Sequence, residues 1–394
     1  MSKQLSLFEK DRATSQDAIA LTIQSLKAYG QDYKHWQISF SGGKDSSCLV
    51  TLVIHLIETG EIPKPDTLTV MYADTRQELP PLHASAMQIL REVSRRGFTS
   101  QVVTAPIDKR FWVYILGRGV PPPNNSTLRW CTQQIKLNPM VESIKELHSH
   151  VNQRFLSLNG VRIGESAIRD RRILTSCSKN GGECGQGWFQ RDLPDALCDK
   201  LAPILHWRVC SVWDWLMVDA PRIGFETEIL ADVYGGDEAT ELDARTGCIG
   251  CPLTDKDTAL INLVKKYPQW EYLTPLLEIK KWHRWAREYQ NRLQKYGETN
   301  KDGCYSSNPC RKGPLTLDAR KRMLDEILSI QSRCNDNRGE MPQVDIINDE
   351  EELRICELIE AGTFPNKWTG DEANGADLLP TIYQDGSKQL TIFQ

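Results

Sequence analysis

Trp36-Gln-Ile-Ser-Phe-Ser41-Gly42-Gly43-Lys44-Asp45-Ser46-Ser47-Cys48 is the stretch on which the fold turns. Trp36 to Phe40 is rich in aromatic and β-branched residues and reads as a strand. Ser46 to Thr59 reads as an apolar helix that Gly60 ends. Between them, consecutive glycines let backbone N–H groups turn toward an anion, and the helix start adds positive potential there. Lys44 can meet a phosphate, and Ser41, Ser46 and Ser47 can donate hydrogen bonds to it. The spacing is not that of a Walker A loop, G-x-x-x-x-G-K-[ST]. A phosphate-binding strand–loop–helix is expected.

Outward from this loop, strand and helix readings alternate. Thr67 to Tyr72 is a strand, Pro80 to Arg96 a helix, and Thr99 to Thr104 and Phe155 to Leu158 are further strands. Such alternation predicts an α/β fold, a parallel sheet with helices on both faces. Beyond Asp255 the pattern becomes helical. Helices are expected over Pro275 to Tyr296, with Thr274 as N-cap, and over Leu317 to Cys334. A last one starts at Asn348 and stops before Gly362, with acidic Glu350 to Glu352 at its positive end. The expected division is a flexible tail (residues 1–15), an α/β domain (16–255), a helical domain (256–362) and a loose acidic tail (363–394).

A chain of 394 residues with 40% hydrophobic content can bury a large core, and 25% charged residues exclude disorder of the whole chain. No apolar run approaches the roughly 18 residues of a membrane span, and Met1 to Lys10 lacks the apolar segment of a secretory signal. A soluble, cytoplasmic protein with no membrane partner is expected. Net charge is −4, unevenly spread. Asp345 to Gln394 holds 11 acidic and 3 basic residues, whereas Ile107 to Arg172 holds 11 basic and 5 acidic ones. The basic stretch is either a solvated face or a surface for phosphates.

Twelve cysteines are many for a compartment where disulfides rarely persist, which points to metal or sulfur chemistry. Cys248-Ile-Gly-Cys251-Pro252 has the spacing of thiolates that share one ion or one iron of a cluster. A zinc site with Cys304 and Cys310, a dithiol redox pair and a [4Fe–4S] cluster all remain open on spacing alone. Cys48, Cys198, Cys210, Cys334 and Cys356 lie among apolar neighbours and are expected to pack in the core.

The loop resembles the SGGxDS signature of the PP-loop ATP pyrophosphatases, the adenine nucleotide alpha hydrolase-like group. The resemblance implies cleavage of ATP to AMP and pyrophosphate. Ser41, Gly42, Gly43, Asp45 and Ser46 would hold pyrophosphate and its Mg²⁺, with Lys44 and Ser47 of the same loop beside them, and Asp74 would lie at the carboxyl edge of the sheet. Asn159-Gly160-Val-Arg162-Ile-Gly-Glu-Ser166 resembles the G-x-R-x-x-[ES]-S element of phosphosulfate reductases. Gly160 and Arg162 would join the site, and Lys44, Asp45 and Arg162 would be its catalytic groups. Arg129-Trp130-Cys131 through Pro139 resembles the C-C-x-x-x-K-x-x-P segment of cluster-bearing adenylyl-sulfate reductases, with Trp130 in place of the first Cys. This implies a [4Fe–4S] cluster on Cys131, Cys248 and Cys251, completed by Cys177 or Cys184.

Longer strings, among them Tyr72-Ala-Asp-Thr-Arg-Gln-Glu-Leu-Pro-Pro81, Phe111 to Pro123 and Gly313 to Arg320, are similar to the DndC-type DNA phosphorothioation sulfurtransferases. The similarity runs from about Trp36 to about Trp368. It implies adenylation of a DNA backbone phosphate, then replacement of a non-bridging oxygen by sulfur from a cysteine desulfurase. DndD- or DndE-like proteins would be further partners. Rival readings are the single-strand SspD type, an adenylyl-sulfate or phosphoadenylyl-sulfate reductase, a tRNA thiolase and a non-catalytic ATP sensor. A reductase needs a Cys near its C-terminus, and none follows Cys356. Gln4-Leu-Ser-Leu-Phe8 also resembles the peptide that docks on the bacterial replication sliding clamp, and Gln389 to Phe393 is a looser copy.

Overall fold

The computed structural model describes residues 15–125, 128–164, 171, 187–191, 197–235, 247–299, 302–308, 311–377 and 380–390. The chain divides into two discontinuous units. Unit 1 comprises Met1–Asp74, Pro81–Val103 and Pro139–Thr246; unit 2 comprises Thr75–Pro80, Thr104–Asn138 and Gly247–Gln394. The expected border near residue 255 is therefore not where the chain divides, because two segments of the first half belong with the second.

Unit 1 is α/β. After helix α1 (Ser15–Gly30) come β1 (His35–Phe40), α2 (Lys44–Glu58), β2 (Thr67–Asp74), α3 (Pro80–Arg95), β3 (Thr99–Thr104), α4 (Asn138–Val151) and β4 (Phe155–Leu158). β5 (Trp188–Gln190), β6 (Cys198–Ala202), α5 (Val209–Asp214) and α6 (Ile229–Tyr234) follow. The strand order is β3-β2-β1-β4-β6-β5. β1 pairs in parallel with β2 and β4, and β4 with β6, whereas β5 is an antiparallel edge. β2 is buried at every position after Thr67 and β4 at all four, as strands covered on both faces must be. α2 buries eleven residues, including Leu49, Val50, Leu52, Val53 and Ile54. Each such aliphatic side chain contributes about 1.5–3 kcal/mol, enough to fix the start of α2 against the sheet.

The order matters for function. From β1 the chain proceeds to β2 and β3 on one side, and β4 and β6 lie on the other. β1 and β4 thus flank the point where the winding reverses, and crevices outside the carboxyl ends of such strands bind ligands.

Unit 2 holds helices α7 (Thr258–Lys266), α8 (Ile279–Trp285), α9 (Leu317–Asp336) and α10 (Asp349–Glu360), with a three-stranded sheet ordered β8-β7-β9. Its strands are β7 (Arg292–Gln294), β8 (Lys312–Leu315) and β9 (Ala373–Asn374); a hairpin pairs β10 (Thr381–Ile382) with β11 (Lys388–Gln389). The helical region beyond Asp255 is present with differences. Pro275 lacks the N–H for an α-helical bond, and Pro268–Glu278 is a 3₁₀ helix. α8 stops at Trp285, whose carbonyl accepts from Asn291 Nδ2 at 2.7 Å. The tail expected to be loose is folded in part: Gly313 has no side chain because the Trp368 ring occupies that space. Cys48, Cys198 and Cys334 are buried, but Cys210 is exposed, on the open face of α5. Among the described residues no helix is long and apolar enough to cross a membrane. Gln4–Phe8 lies outside the described residues, as does Thr391–Phe393 of the looser copy.

Candidate functional site

In unit 1 the loop between β1 and α2 is held open by its glycines and closed on itself by its serines. Gly42 has φ +72°, where an L side chain is strained, and a Cβ there would press on Tyr72 and Ala86. Gly43 caps α2 with no side-chain hydrogen bond, so the first-turn N–H groups keep their donor capacity. Ser46 Oγ donates to the Gly43 carbonyl at 3.0 Å and accepts from the Ser41 amide at 3.2 Å; it lies 3.0 Å from Ser41 Oγ. Ser47 is fully buried at the start of α2.

The turn after β4 meets this loop. A Cβ on Gly160 would stand 3.0 Å from the Asp45 carbonyl group and the Ser46 nitrogen, so only glycine permits the approach. Two residues on, Arg162 is 2% exposed. Its Nε donates to Asp45 Oδ1 at 2.6 Å and its Nη1 to the Trp207 carbonyl at 3.1 Å. Asp45 Oδ2 pairs with Lys44 Nζ at 3.0 Å, and that ammonium lies 5.3 Å from the Tyr234 ring centre. One carboxylate therefore locks two cations beside the glycine loop and the start of α2, a setting for phosphate oxygens. Asp74 is buried at the end of β2. With both Asp45 oxygens engaged by cations, the loop forms no ready Mg²⁺ ligand set, and a metal would arrive on the oxygens of its nucleotide.

Unit 2 brings Cys131, Cys248 and Cys251 into one electrostatic neighbourhood. Cys248 keeps an accessible edge, yet its surroundings are dense. Burial first, then the charges of Glu78, Cys251 and Cys131, push its thiol up to about 12, against the opposing pull of Lys136. Gly250 sits at φ +59° with Ile279 packed where a side chain would project. Lys280 Nζ clamps the loop, donating to the carbonyls of Cys251 (2.6 Å) and Thr254 (2.8 Å) and pairing with Asp257 at 3.1 Å. Arg287 ties the carbonyls of Pro252 and Pro123 together, both at 3.0 Å.

Among the described residues no three His, Cys, Asp or Glu side chains converge tightly enough to enclose a metal ion. The donor chemistry nevertheless fits an iron–sulfur group: Cys131, Cys248 and Cys251 are free thiols, and the charges of Cys131 and Cys251 act on Cys248, so a cation held among them would favour the thiolate that burial disfavours. Cys177 and Cys184, the fourth-ligand candidates, lie outside the described residues, as does Cys310. Cys304 is exposed.

Residues 35–220 match the phosphoadenosine phosphosulfate reductase domain family. A curated relative, an uncharacterized protein of Methanocaldococcus jannaschii, is 27% identical over 264 residues, which is 66% of this chain and 52% of the relative. The chain thus spans about half the length of that relative. Solved structures similar to it include a phosphoadenylyl-sulfate reductase of Candida auris in a phosphate complex, with TM-score 0.33, 10% identity and coverage of 54% of this chain and 89% of that one. Another is a U34-tRNA thiolase of Methanococcus maripaludis with its [4Fe–4S] cluster, with TM-score 0.34, 10% identity and coverage of 68% and 78%. The reductase-like domain family covers the whole of the loop and the turn at Gly160 to Arg162, and it includes Cys131 but not Cys248 or Cys251.

Sequence reading missed the partners that hold these groups. Trp207 and Tyr234 beside the phosphate loop, and Lys280 and Arg287 beneath the Cys248–Cys251 loop, carry no local motif. Their roles arise only when distant segments pack.

Proposed function

We propose that the protein is an ATP pyrophosphatase and sulfurtransferase of the DNA phosphorothioation type. The observation that carries this reading is the pairing, in one chain, of a built phosphate loop with the free thiols of Cys131, Cys248 and Cys251, of which Cys131 and Cys251 act on Cys248. In the proposed reaction a non-bridging oxygen of a DNA phosphodiester attacks the α-phosphorus of ATP, and pyrophosphate leaves. Sulfur at the sulfide level then attacks the DNA phosphorus, and AMP departs with the former oxygen. Persulfide sulfur from a cysteine desulfurase needs two electrons, supplied by an external thiol, to reach that level.

The N–H groups of Gly43 and the first turn of α2 receive the leaving pyrophosphate oxygens. Lys44 and Arg162, kept in place by Asp45, offset the charge that builds on them. A [4Fe–4S] cluster on Cys131, Cys248 and Cys251, when bound, supplies a place where sulfide can be held before transfer.

The test combines three measurements on protein purified without air. DNA-dependent pyrophosphate release is expected to fall in Ser41→Ala and Asp45→Ala. Iron and sulfide content is expected to fall in Cys131→Ser, Cys248→Ser and Cys251→Ser, and the Cys177→Ser and Cys184→Ser variants identify the fourth ligand. Mass spectrometry of digested DNA is expected to show phosphorothioate links only with wild type. Unchanged pyrophosphate release in the loop variants, or full sulfur transfer by iron-free protein, rejects the proposal. Release that depends on tRNA rather than DNA transfers it to the thiolase class.

A further inference from the structure

We infer that Tyr114 and Trp130 of unit 2 form a stacking platform for an unpaired DNA base, with the flanking strand held by Lys109, Arg118, Arg129 and Lys136. The inference rests on the sulfur-transfer reading, and it names where that reading's DNA would be gripped.

The two rings meet edge to face, with centres 4.8 Å apart. Both are only half-buried, although Phe111 and Trp112 of the same segment are buried beneath. The pair is fixed from below: Phe111 lies 5.5 Å from Trp130 and 5.3 Å from Trp112. Trp130 Nε1 is anchored on the Pro121 carbonyl at 3.2 Å. A rigid aromatic surface of this kind costs little conformational entropy to use, and every base has a face that can stack on it.

The charges around it are unbalanced. Asp108 is taken by Arg354, and Glu350 and Glu351 by Arg110. Among the described residues Lys109, Arg118, Arg129 and Lys136 pair with no carboxylate. Lys109 and Arg118 instead stand 6.0 and 5.5 Å from the Tyr114 ring centre. Lys109 and Arg118 also act on the Asp108 carboxylate, but Arg354 is the cation that clasps it, and cations beside a ring with no described carboxylate in ion-pair contact suit a ligand that alternates phosphates with flat bases. Duplex DNA keeps its base faces stacked inside, so the platform selects single-stranded or locally opened DNA. Trp130 directly precedes Cys131, so a strand gripped here passes beside the first of the three thiols.

The experiment is fluorescence anisotropy of a labelled oligothymidylate with full-length protein, repeated over a salt series. Tyr114→Leu and Trp130→Leu are expected to weaken binding about five- to a hundredfold while the slope of log affinity against log salt stays the same. Tyr114→Phe, which keeps the ring, is expected to bind like wild type, showing that the leucine variant fails for want of stacking. Lys109→Gln and Arg129→Gln are each expected to flatten the slope by about 0.7. Circular dichroism and iron content of each variant identify any that misfold, and the Phe variant then carries the comparison through its own agreement with wild type.

Unchanged binding by both leucine variants overturns the inference, as does equal competition by inorganic polyphosphate, which has charge without bases. Tighter binding of the matching RNA overturns the assignment to DNA. These results separate from those of the function itself. Tyr114-dependent binding by protein that installs no sulfur keeps the platform and removes the sulfur-transfer reading. Tyr114-independent binding by protein that does install sulfur has the opposite meaning.

Discussion

Single atoms decide much at the loop. A methyl group on Gly160 would press on backbone atoms of Asp45 and Ser46, which cannot rotate away as a side chain can. Gly160→Ala is therefore expected to cost about 1–3 kcal/mol in urea unfolding and to slow pyrophosphate release about ten- to a hundredfold by shifting the loop. His283 makes a second case. It is buried between Trp112, stacked at 5.3 Å, and Phe111, edge-on at 5.8 Å. Among the described residues neither ring nitrogen has a hydrogen-bond partner. Burial first, then the charges of Arg287 and Lys280, lowers it from 6.5 to about 3. As pH falls through 6.5 the unfolded chain takes up a proton that the folded one refuses until about 3. Stability is thus full above 6.5 and declines toward 3, by at most about 1.4 kcal/mol per pH unit from this group. His283→Phe is expected to remove that share of the decline. Urea midpoints across this range should show the variant gaining on wild type as pH drops; parallel curves would contradict the assignment.

At the scale of elements, legibility followed how local each signal is. The cap of α10 could be read because both its halves lie within four residues. Asn348 accepts from the Glu351 amide at 2.9 Å, and Glu351 returns a carboxylate to the Asn348 amide at 3.2 Å. Asn348→Ala is expected to cost about 1 kcal/mol, read from the urea midpoint. β1, the glycine loop and α2 were legible for the same reason, since strand pattern, glycines and apolar helix are contiguous. The short strands β5 and β7 were not, because three residues carry no period and their pairing is fixed by partners elsewhere in the chain. The Pro275 reading failed where proline chemistry admits two outcomes: it can open an α-helix or sit in a 3₁₀ one. For the site, Arg162 and the three thiols were visible through resemblance of their flanking residues. The Lys280 clamp, the Trp207 carbonyl and the Tyr234 ring were invisible, because a lysine in a helix or a main-chain carbonyl looks like any other until packing gives it a partner.

At the scale of the whole chain, the discontinuity of unit 2 has a mechanical consequence. Its segment Thr104–Asn138 folds on residues supplied by the second half of the sequence. Arg320 of α9, fully buried, donates to the Leu116 carbonyl at 2.6 Å, to the Gly117 carbonyl and to the Thr363 carbonyl at 2.8 Å. Arg354 of α10 clasps Asp108 at 2.7 Å, and Arg110 reaches Glu350 at 2.8 Å. Phe111, Trp112, Val113, Ile115 and Leu116 are all buried within this unit. Cutting the chain after Asp255, where composition suggests a border, would strip these apolar side chains of their cover and leave the carbonyls of Leu116 and Gly117 without their buried donor. The shortened protein is expected to bind a hydrophobic dye such as anilinonaphthalene sulfonate, to lose near-ultraviolet dichroism and to be cut by trypsin between residues 104 and 138. The full chain should resist at the same protease dose. A shortened chain that is monomeric, protease-resistant and dye-negative would mean that Thr104–Asn138 needs nothing from α9 and α10. The buried arginine and the paired carboxylates would then be consequences of folding in unit 2 rather than its cause.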